Sequence, residues 1–168
     1  MRPAYRLRQF LAALEPSKEA AVSEDLQAYL DSRQEELFQR MAHSERRHAL
    51  AVLNHCRSHG RVPLELAQAA LLHDIGKTQA PIALWQRVAL VVLRPLSPGL
   101  LYRLAQRQGG LHVLLCHAQI GAKMAETVGL HPVACTLIRE HHARPESAVL
   151  SAEERTLLAA LQAADESN

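Results

Sequence analysis

Apolar residues recur at three- and four-residue intervals along almost the whole chain, and strand-like alternation is nearly absent. That spacing puts side chains on one face of a helix. Ala and Leu are abundant while aromatic residues make up 4%, a balance that favours helices over sheets. Pro63, Pro98 and Pro132 stand where a first helical turn can begin, and Gly60, Gly109 and Gly129 where a left-handed residue can end one. These marks predict helices over 5–14, 18–31, 34–41, 45–59, 63–73, 82–93, 98–108, 111–128, 132–142 and 152–164, hence an all-α fold. Ser32 with Glu35 and Ser151 with Glu154 have the capping-box spacing that sharpens two of the starts.

Size and composition bound the organisation. A chain of 168 residues, 48% of them hydrophobic, can bury one sizeable core. Ahead of Ser44, charged residues interleave with Phe10, Leu14, Leu26, Leu30, Leu37, Phe38 and Met41 in the manner of amphipathic helices. We therefore expect an N-terminal helical cap over 1–43 on a main domain over 44–168, the two forming one structural unit. A dimerisation surface, and so a homodimer, is the other use of those helices. Formal net charge is +2 with Arg scattered throughout, so no basic face announces nucleic acid. Cys56, Cys116 and Cys135 stand singly in apolar helical patterns, which reads as reduced core thiols in a cytoplasmic protein. The charged start at Arg2, Arg6 and Arg8 leads into no unbroken apolar segment, so no signal peptide is expected.

The chemistry lies in the histidines. His73 and Asp74 close the apolar run in Leu71-Leu72-His73-Asp74-Ile75-Gly76-Lys77 and offer an imidazole nitrogen beside a carboxylate. Such a pair suits a borderline divalent cation, Fe, Mn, Co or Zn, and the carboxylate has a second oxygen free to bridge. Further imidazoles lie on other apolar helical stretches: His48 before Ala49 to Leu53, His117 before Ala118 to Met124, and His141-His142 after Ile138. Asp165 ends the run from Leu157. Buried carboxylates and imidazoles are costly without partners, so a shared cation explains one on each of several apolar helices better than separate accidents do. The small residues Ala118, Gly121 and Ala122 beside His117 permit a neighbouring element to pack closely. His55 and His59, spaced four apart, have no third ligand with them, and His43, His112 and His131 read as surface or capping residues.

The order His48, His73-Asp74, His117, His141-His142, Asp165 resembles the HD-domain superfamily of metal-dependent phosphohydrolases, over about 44–165, including the frequent His-Asp-x-Gly-Lys form. The resemblance implies an HD-like helical bundle in which His48, His73, Asp74 and Asp165 hold one metal. In the dinuclear branches, residues matching His117 and His141 hold a second metal with Asp74 bridging, and His142 matches a further ligand of the HD-GYP cyclic-dinucleotide phosphodiesterases. Those enzymes continue with a Glu and an Asp-Gly-x-Gly-Tyr-Pro segment, whereas this chain reads Ala143-Arg144-Pro145-Glu146-Ser147. Bacterial HD hydrolases of diadenosine tetraphosphate look closer in size, although their spacing from the His-Asp pair to the next His is shorter.

The resemblance thus implies a hydrolase using two divalent ions, Fe or Mn ahead of Zn, Co, Ni or Mg, on a small nucleotide or other phosphate ester. Such ions can lower the pKa of a bound water toward neutrality and take up charge from the phosphate. Asp74 and Lys77 are the catalytic candidates. Lys77, Arg139 and Arg144 are the candidates for phosphate contact, since guanidinium offers a bidentate fork. A mixed-valence di-iron oxygenase of the same fold and a non-catalytic regulatory module are the alternative classes; ligands at every motif speak against the module. The apolar stretch 81–96 leads out of the His-Asp motif and is too short, and interrupted by Arg87, to span a bilayer. We expect a buried helical hairpin there, covering the site as a lid. A membrane-surface or partner-binding helix over 82–96 is the alternative.

Overall fold

The computed structural model describes residues 26–107, 109–143 and 149–168. Among them are eight α-helices and no strand: α1 (Ser32–Gln39), α2 (His43–Ser58), α3 (Leu64–Leu72), α4 (Leu84–Leu96), α5 (Pro98–Ala105), α6 (Gly109–Thr127), α7 (Pro132–Glu140) and α8 (Ala152–Ser167). A 3₁₀ turn, Ile75–Gln79, follows α3. The fold is all-α, as the periodicity predicts. The expected helix over 5–14 and most of that over 18–31 fall outside the described residues.

α3 is the centre of the bundle. Seven of its nine residues are buried, because α2 and α7 pack against it and α8 packs across α2, α3 and α7. A helix that is apolar all round must be covered all round, so the residues that end it, His73 and Asp74, emerge inside the protein and not at its surface. Leu26, Leu30, Leu37, Phe38 and Met41 belong to this same core, so the described part of the N-terminal segment shares one interior with the rest. Gln68 and Gln34 are the buried amides that tie it in. Gln68 Nε2 donates to Tyr29 O at 3.1 Å and to Gln34 Oε1 at 3.3 Å, while Gln68 Oε1 accepts from His131 N at 3.2 Å.

Most helix boundaries follow local chemistry. Ser151 and Glu154 form the expected capping box at α8. At α1 the box is shifted by one residue: Asp31 caps by accepting from Gln34 N at 2.9 Å, and Gln34 Oε1 accepts from Asp31 N at 3.2 Å, so Ser32 becomes the first helical residue. Asp is as good a cap as Ser, and Gln34 can reach back to Asp31. Gly60 and Gly129 adopt positive φ and end α2 and the α6 turn as expected, but Gly109 does not; it opens α6. Pro63 precedes α3 as its cap, and His131 Nδ1 accepts from Val133 N at 3.3 Å at the start of α7.

The stretch after the His-Asp motif departs from expectation. α4 and α5 form a hairpin against the first half of α6, around a second, smaller core of Leu101, Ala105, Leu111 and Leu114. On α4 only Gln86 is buried, so the hairpin is not the enclosed lid expected over 81–96. α4 is apolar on both sides, and its periodicity gave no sign of which side stays uncovered. No helix among the described residues is long and apolar enough to cross a membrane. Cys56, Cys116 and Cys135 are free thiols.

Candidate metal centre

Five elements deliver the histidines and aspartates to one place. His48 comes from the second turn of α2, His73 caps the C-terminus of α3, and Asp74 follows it. His117 projects from the middle of α6, His141 caps the C-terminus of α7 with His142 next to it, and Asp165 lies in the last turns of α8. Neighbouring ring centroids run His48 to His73 at 5.4 Å, His73 to His141 at 5.3 Å, His141 to His117 at 5.3 Å and His117 to His142 at 4.9 Å. Two helix C-termini, those of α3 and α7, end here, and such ends favour positive charge.

Glycine makes the convergence feasible. A Cβ on Gly76 would lie 2.0 Å from His117 O and 2.7 Å from Gly121 N. The 3₁₀ turn therefore rests backbone to backbone on α6, with Gly121 receiving it, and this brings Asp74 up to His117.

The side chains fall into two sets of potential ligands. Nitrogen or oxygen atoms of His48, His73 and Asp74 lie within 4.8 Å of one another, and so do those of His117, His141 and His142. Asp165 completes the first set, its Oδ1 at 2.8 Å from His48 Nε2 and 3.7 Å from His73 Nε2. Asp74 stands between the sets: Oδ2 is 3.5 Å from His73 Nε2 and Oδ1 is 3.4 Å from His117 Nε2. His142 Nε2 approaches His117 Nε2 at 3.0 Å.

The orientation of the rings is fixed from behind. Nδ1 of His73, His117 and His141 each faces the carbonyl three residues earlier, at 3.0, 3.0 and 2.7 Å from the oxygens of Ala70, Leu114 and Ile138. A carbonyl can only accept, so Nδ1 carries the proton and Nε2 turns its lone pair inward. His73 Nε2 and His141 Nε2 are buried with no hydrogen-bond partner. A lone pair left buried and unpaired is costly, and a divalent cation would satisfy it. Gln162, absent from the sequence-based candidates, braces this end of α7 by donating to His141 O at 3.1 Å and Ala143 O at 2.8 Å.

Electrostatics favour the unprotonated form of three of the imidazoles and of both carboxylates. Burial pushes His117, His141 and His142 down to about 4, helped for His141 by the neighbouring His73 and for His142 by His141. Burial opposes ionisation of Asp165, yet the hydrogen bond from His48 and the nearness of His73 outweigh it and hold the carboxyl near 2. Asp74 stays well below the usual carboxylate range for the same reason: burial is overcome by Lys77, His73 and His117. His48 is shifted the opposite way from His117, His141 and His142. Burial disfavours its charged form, but the bond to Asp165 and the nearby Asp74 raise its pKa above 6.5.

The pattern these residues make is that of a known family, and the HD-domain family model matches residues 46–166. The chain belongs to the HD-domain family. No curated protein and no solved structure matches it. HD domains form a superfamily of metal-dependent phosphohydrolases, and this HD domain carries a His/Asp cluster suited to a divalent ion.

Beside Asp74 a cleft of about 380 Å³ opens between Arg40, Glu45, Lys77, Thr78, Ile82 and Arg87. Lys77 enters it from the 3₁₀ turn, where side chains three apart eclipse. Its Nζ lies 2.5 Å from Asp74 Oδ2 and 3.6 Å from Glu45 Oε2. Burial alone would lower its pKa, but Asp74 and Glu45 raise it, so the ammonium stays charged. Glu45 also accepts from Arg87 Nη2 at 3.2 Å. Sequence reasoning missed Glu45, although it precedes His48 by three residues and so shares a helix face with it. Arg139 is directed elsewhere, its guanidinium 2.5 Å from Glu126 in an exposed pair, and Arg144 lies outside the described residues. His55 and His59 stack at 4.4 Å, with His59 Nδ1 at 2.9 Å from its own helix's His55 O, and His43 and His112 are exposed.

Proposed function

We propose that the protein is a phosphohydrolase of a nucleotide or other small phosphate ester, and that it works with two divalent ions, Fe or Mn. The observation that carries this reading is the position of Asp74, with one oxygen toward His73 and the other toward His117. His48, His73, Asp74 and Asp165 would hold one ion, and His117, His141, His142 and the second oxygen of Asp74 the other. A bound ion pair supplies an acidified water and a sink for negative charge on the phosphate.

The chain's own groups do the rest. The carbonyl bonds at Nδ1 hold three imidazoles rigidly in their ligating tautomer, so little ordering is needed on binding. Lys77, and Arg40 and Arg87 along the same cleft, supply positive charge next to Asp74, suited to orienting a phosphate dianion. Arg87, with its fork already partly on Glu45, takes the place the sequence assigned to Arg139.

The test is metal analysis of aerobically and anaerobically purified protein, followed by a panel of nucleotides and phosphate esters with Mn²⁺ or Fe²⁺ added. Two ions per chain and turnover of at least one ester are expected. No hydrolysis by metal-loaded protein, together with oxygen uptake by its reduced iron form, would overturn the hydrolase in favour of a di-iron oxygenase.

A further inference from the structure

α4 presents a second surface that the metal centre does not use. Leu84, Trp85, Val88, Val91, Val92 and Leu96 are each between 45% and 77% exposed. At 100° per residue these positions fall within one arc about 140° wide. The opposite side, around Gln86 and Leu93, packs on α5 and α6. Single exposed apolar residues are ordinary, but a contiguous stripe of this kind marks a surface made to be covered. Leu100 and Tyr102 on α5 are exposed too.

Charge identifies what covers it. From Ile75 to Ala125 the chain has no Asp or Glu but has Lys77, Arg87, Arg94, Arg103, Arg107 and Lys123; the near-neutral total arises because the acids lie elsewhere. Arg94 borders the apolar arc on α4, and Arg103 and Arg107 are exposed on and just after α5. None of these three is paired with an acid among the described residues. A second copy of the same face would set arginine against arginine with no acid to meet it. An anionic bilayer satisfies both features at once, its acyl boundary taking the Leu, Val and Trp side chains and its headgroups the guanidinium groups. We propose that the α4–α5 hairpin is a docking surface for anionic phospholipid, with α4 lying in the plane of the interface. The cleft beside Asp74 is carried by the same segment, through Ile82 and Arg87.

Trp85 is the only tryptophan, so the full chain reports on itself. With vesicles of equimolar phosphatidylcholine and phosphatidylglycerol, Trp85 emission should shift to shorter wavelength and the protein should sediment with the lipid. Phosphatidylcholine alone should bind weakly, as should the mixed vesicles in about 1 M salt, where the Debye length falls to about 3 Å. Val88→Asp with Val92→Asp should weaken partitioning on the order of tenfold or more. Arg94→Ser, Arg103→Ser and Arg107→Ser together should weaken it about a hundredfold, each base near an anionic surface counting for roughly fivefold. Both variants change exposed side chains and should keep the wild-type circular dichroism and metal content; if one of them misfolds, the other decides. The proposal is overturned if wild-type protein neither shifts nor sediments, or if both variants bind like wild type. It is also overturned if light scattering shows a dimer that Val88→Asp/Val92→Asp dissociates while vesicles leave Trp85 unchanged, for then a second copy covers the face. A Trp85 already shielded in the monomer and indifferent to vesicles assigns the face to another segment of the chain.

Discussion

Gly76→Ala is the substitution that most directly tests how the centre is assembled. The added Cβ would stand 2.0 Å from His117 O and 2.8 Å from His117 C, where ordinary contact begins at 3.4 Å. Both obstacles are backbone, so no rotamer change relieves them, and the 3₁₀ turn must move off α6 by on the order of 1 Å. Overpacking of this kind costs roughly 1–3 kcal/mol, and rigid backbone on both sides puts this case at the upper end. For a chain of this size that is a fall in Tm of about 6–12 °C. The effect on metal should exceed the effect on stability, because the same displacement separates Asp74 from His117 and splits the two ligand sets. Two other glycines calibrate the result. A Cβ on Gly121 meets Gly76 N at 3.1 Å and Ile75 Cγ2 at 3.3 Å, a contact that shifts of a few tenths of an ångström relieve, so Gly121→Ala should be milder. Gly99, with nothing within 4 Å, lies in α5 and should gain up to about 1 kcal/mol as Ala. Thermal unfolding and metal content, measured on all three, give the order. Gly76→Ala protein with wild-type Tm and full metal would refute the reasoning outright.

Other outcomes follow from individual side chains. His117→Ala should lose about one metal equivalent by elemental analysis and keep the other, whereas Asp74→Ala should lose both; full stoichiometry in His117→Ala would argue against two ions. Lys77→Ala should leave metal content intact or tighten it, since an ammonium 2.5 Å from Asp74 Oδ2 competes with a cation. Its kcat/KM for phosphate esters should fall on the order of ten- to a thousandfold, and an unchanged value would place Lys77 outside the reaction. Metal affinity should respond to pH in two steps. His48, raised above 6.5, must shed a proton to ligate, so the ion it helps hold should weaken as pH falls through that raised value. His117, His141 and His142, held near 4, stay neutral and competent until the pH approaches 4. Calorimetric titration with Mn²⁺ from about pH 4 to about pH 8 should resolve both steps, and one shared step near 6.5 would contradict the assignment.

What the amino-acid sequence revealed, and what it hid, divides along the range of the forces involved. Helix ends set by one residue's own backbone were legible: positive φ at Gly60 and Gly129, the Ser151–Glu154 box, Pro132 opening α7. The cluster was legible because imidazoles and carboxylates on apolar helices need a partner and because their order resembles that of HD domains, and the structure does bring His48, His73, Asp74, His117, His141, His142 and Asp165 together. Where two local solutions had similar energies, the sequence did not choose between them, as at Asp31 and Ser32. Gly109 looked like a helix end because glycine permits that conformation, but permission is not requirement. The role of Gly76 depends on α6, some forty residues further on, and no local pattern contains it.

The hairpin after the His-Asp motif shows the same limit with a consequence for function. Amphipathic periodicity identifies which face of a helix is apolar, and so which must be covered, but α4 is apolar on both faces. One side meets Leu101, Leu111 and Leu114, and for the other the hydrophobic effect says only that water is a poor neighbour. Direction comes from charge, the one interaction here that distinguishes partners of equal greasiness. On the two proposals, an acid-free stretch from Ile75 to Ala125 would disfavour its own copy, meet phosphate in the cleft through Lys77 and Arg87, and meet phosphate in a bilayer through Arg94, Arg103 and Arg107. The two proposals made for this protein thus draw on one feature of its sequence while being separable in the test tube, since Arg94, Arg103 and Arg107 lie outside the cleft and their loss should leave turnover of a soluble ester unchanged.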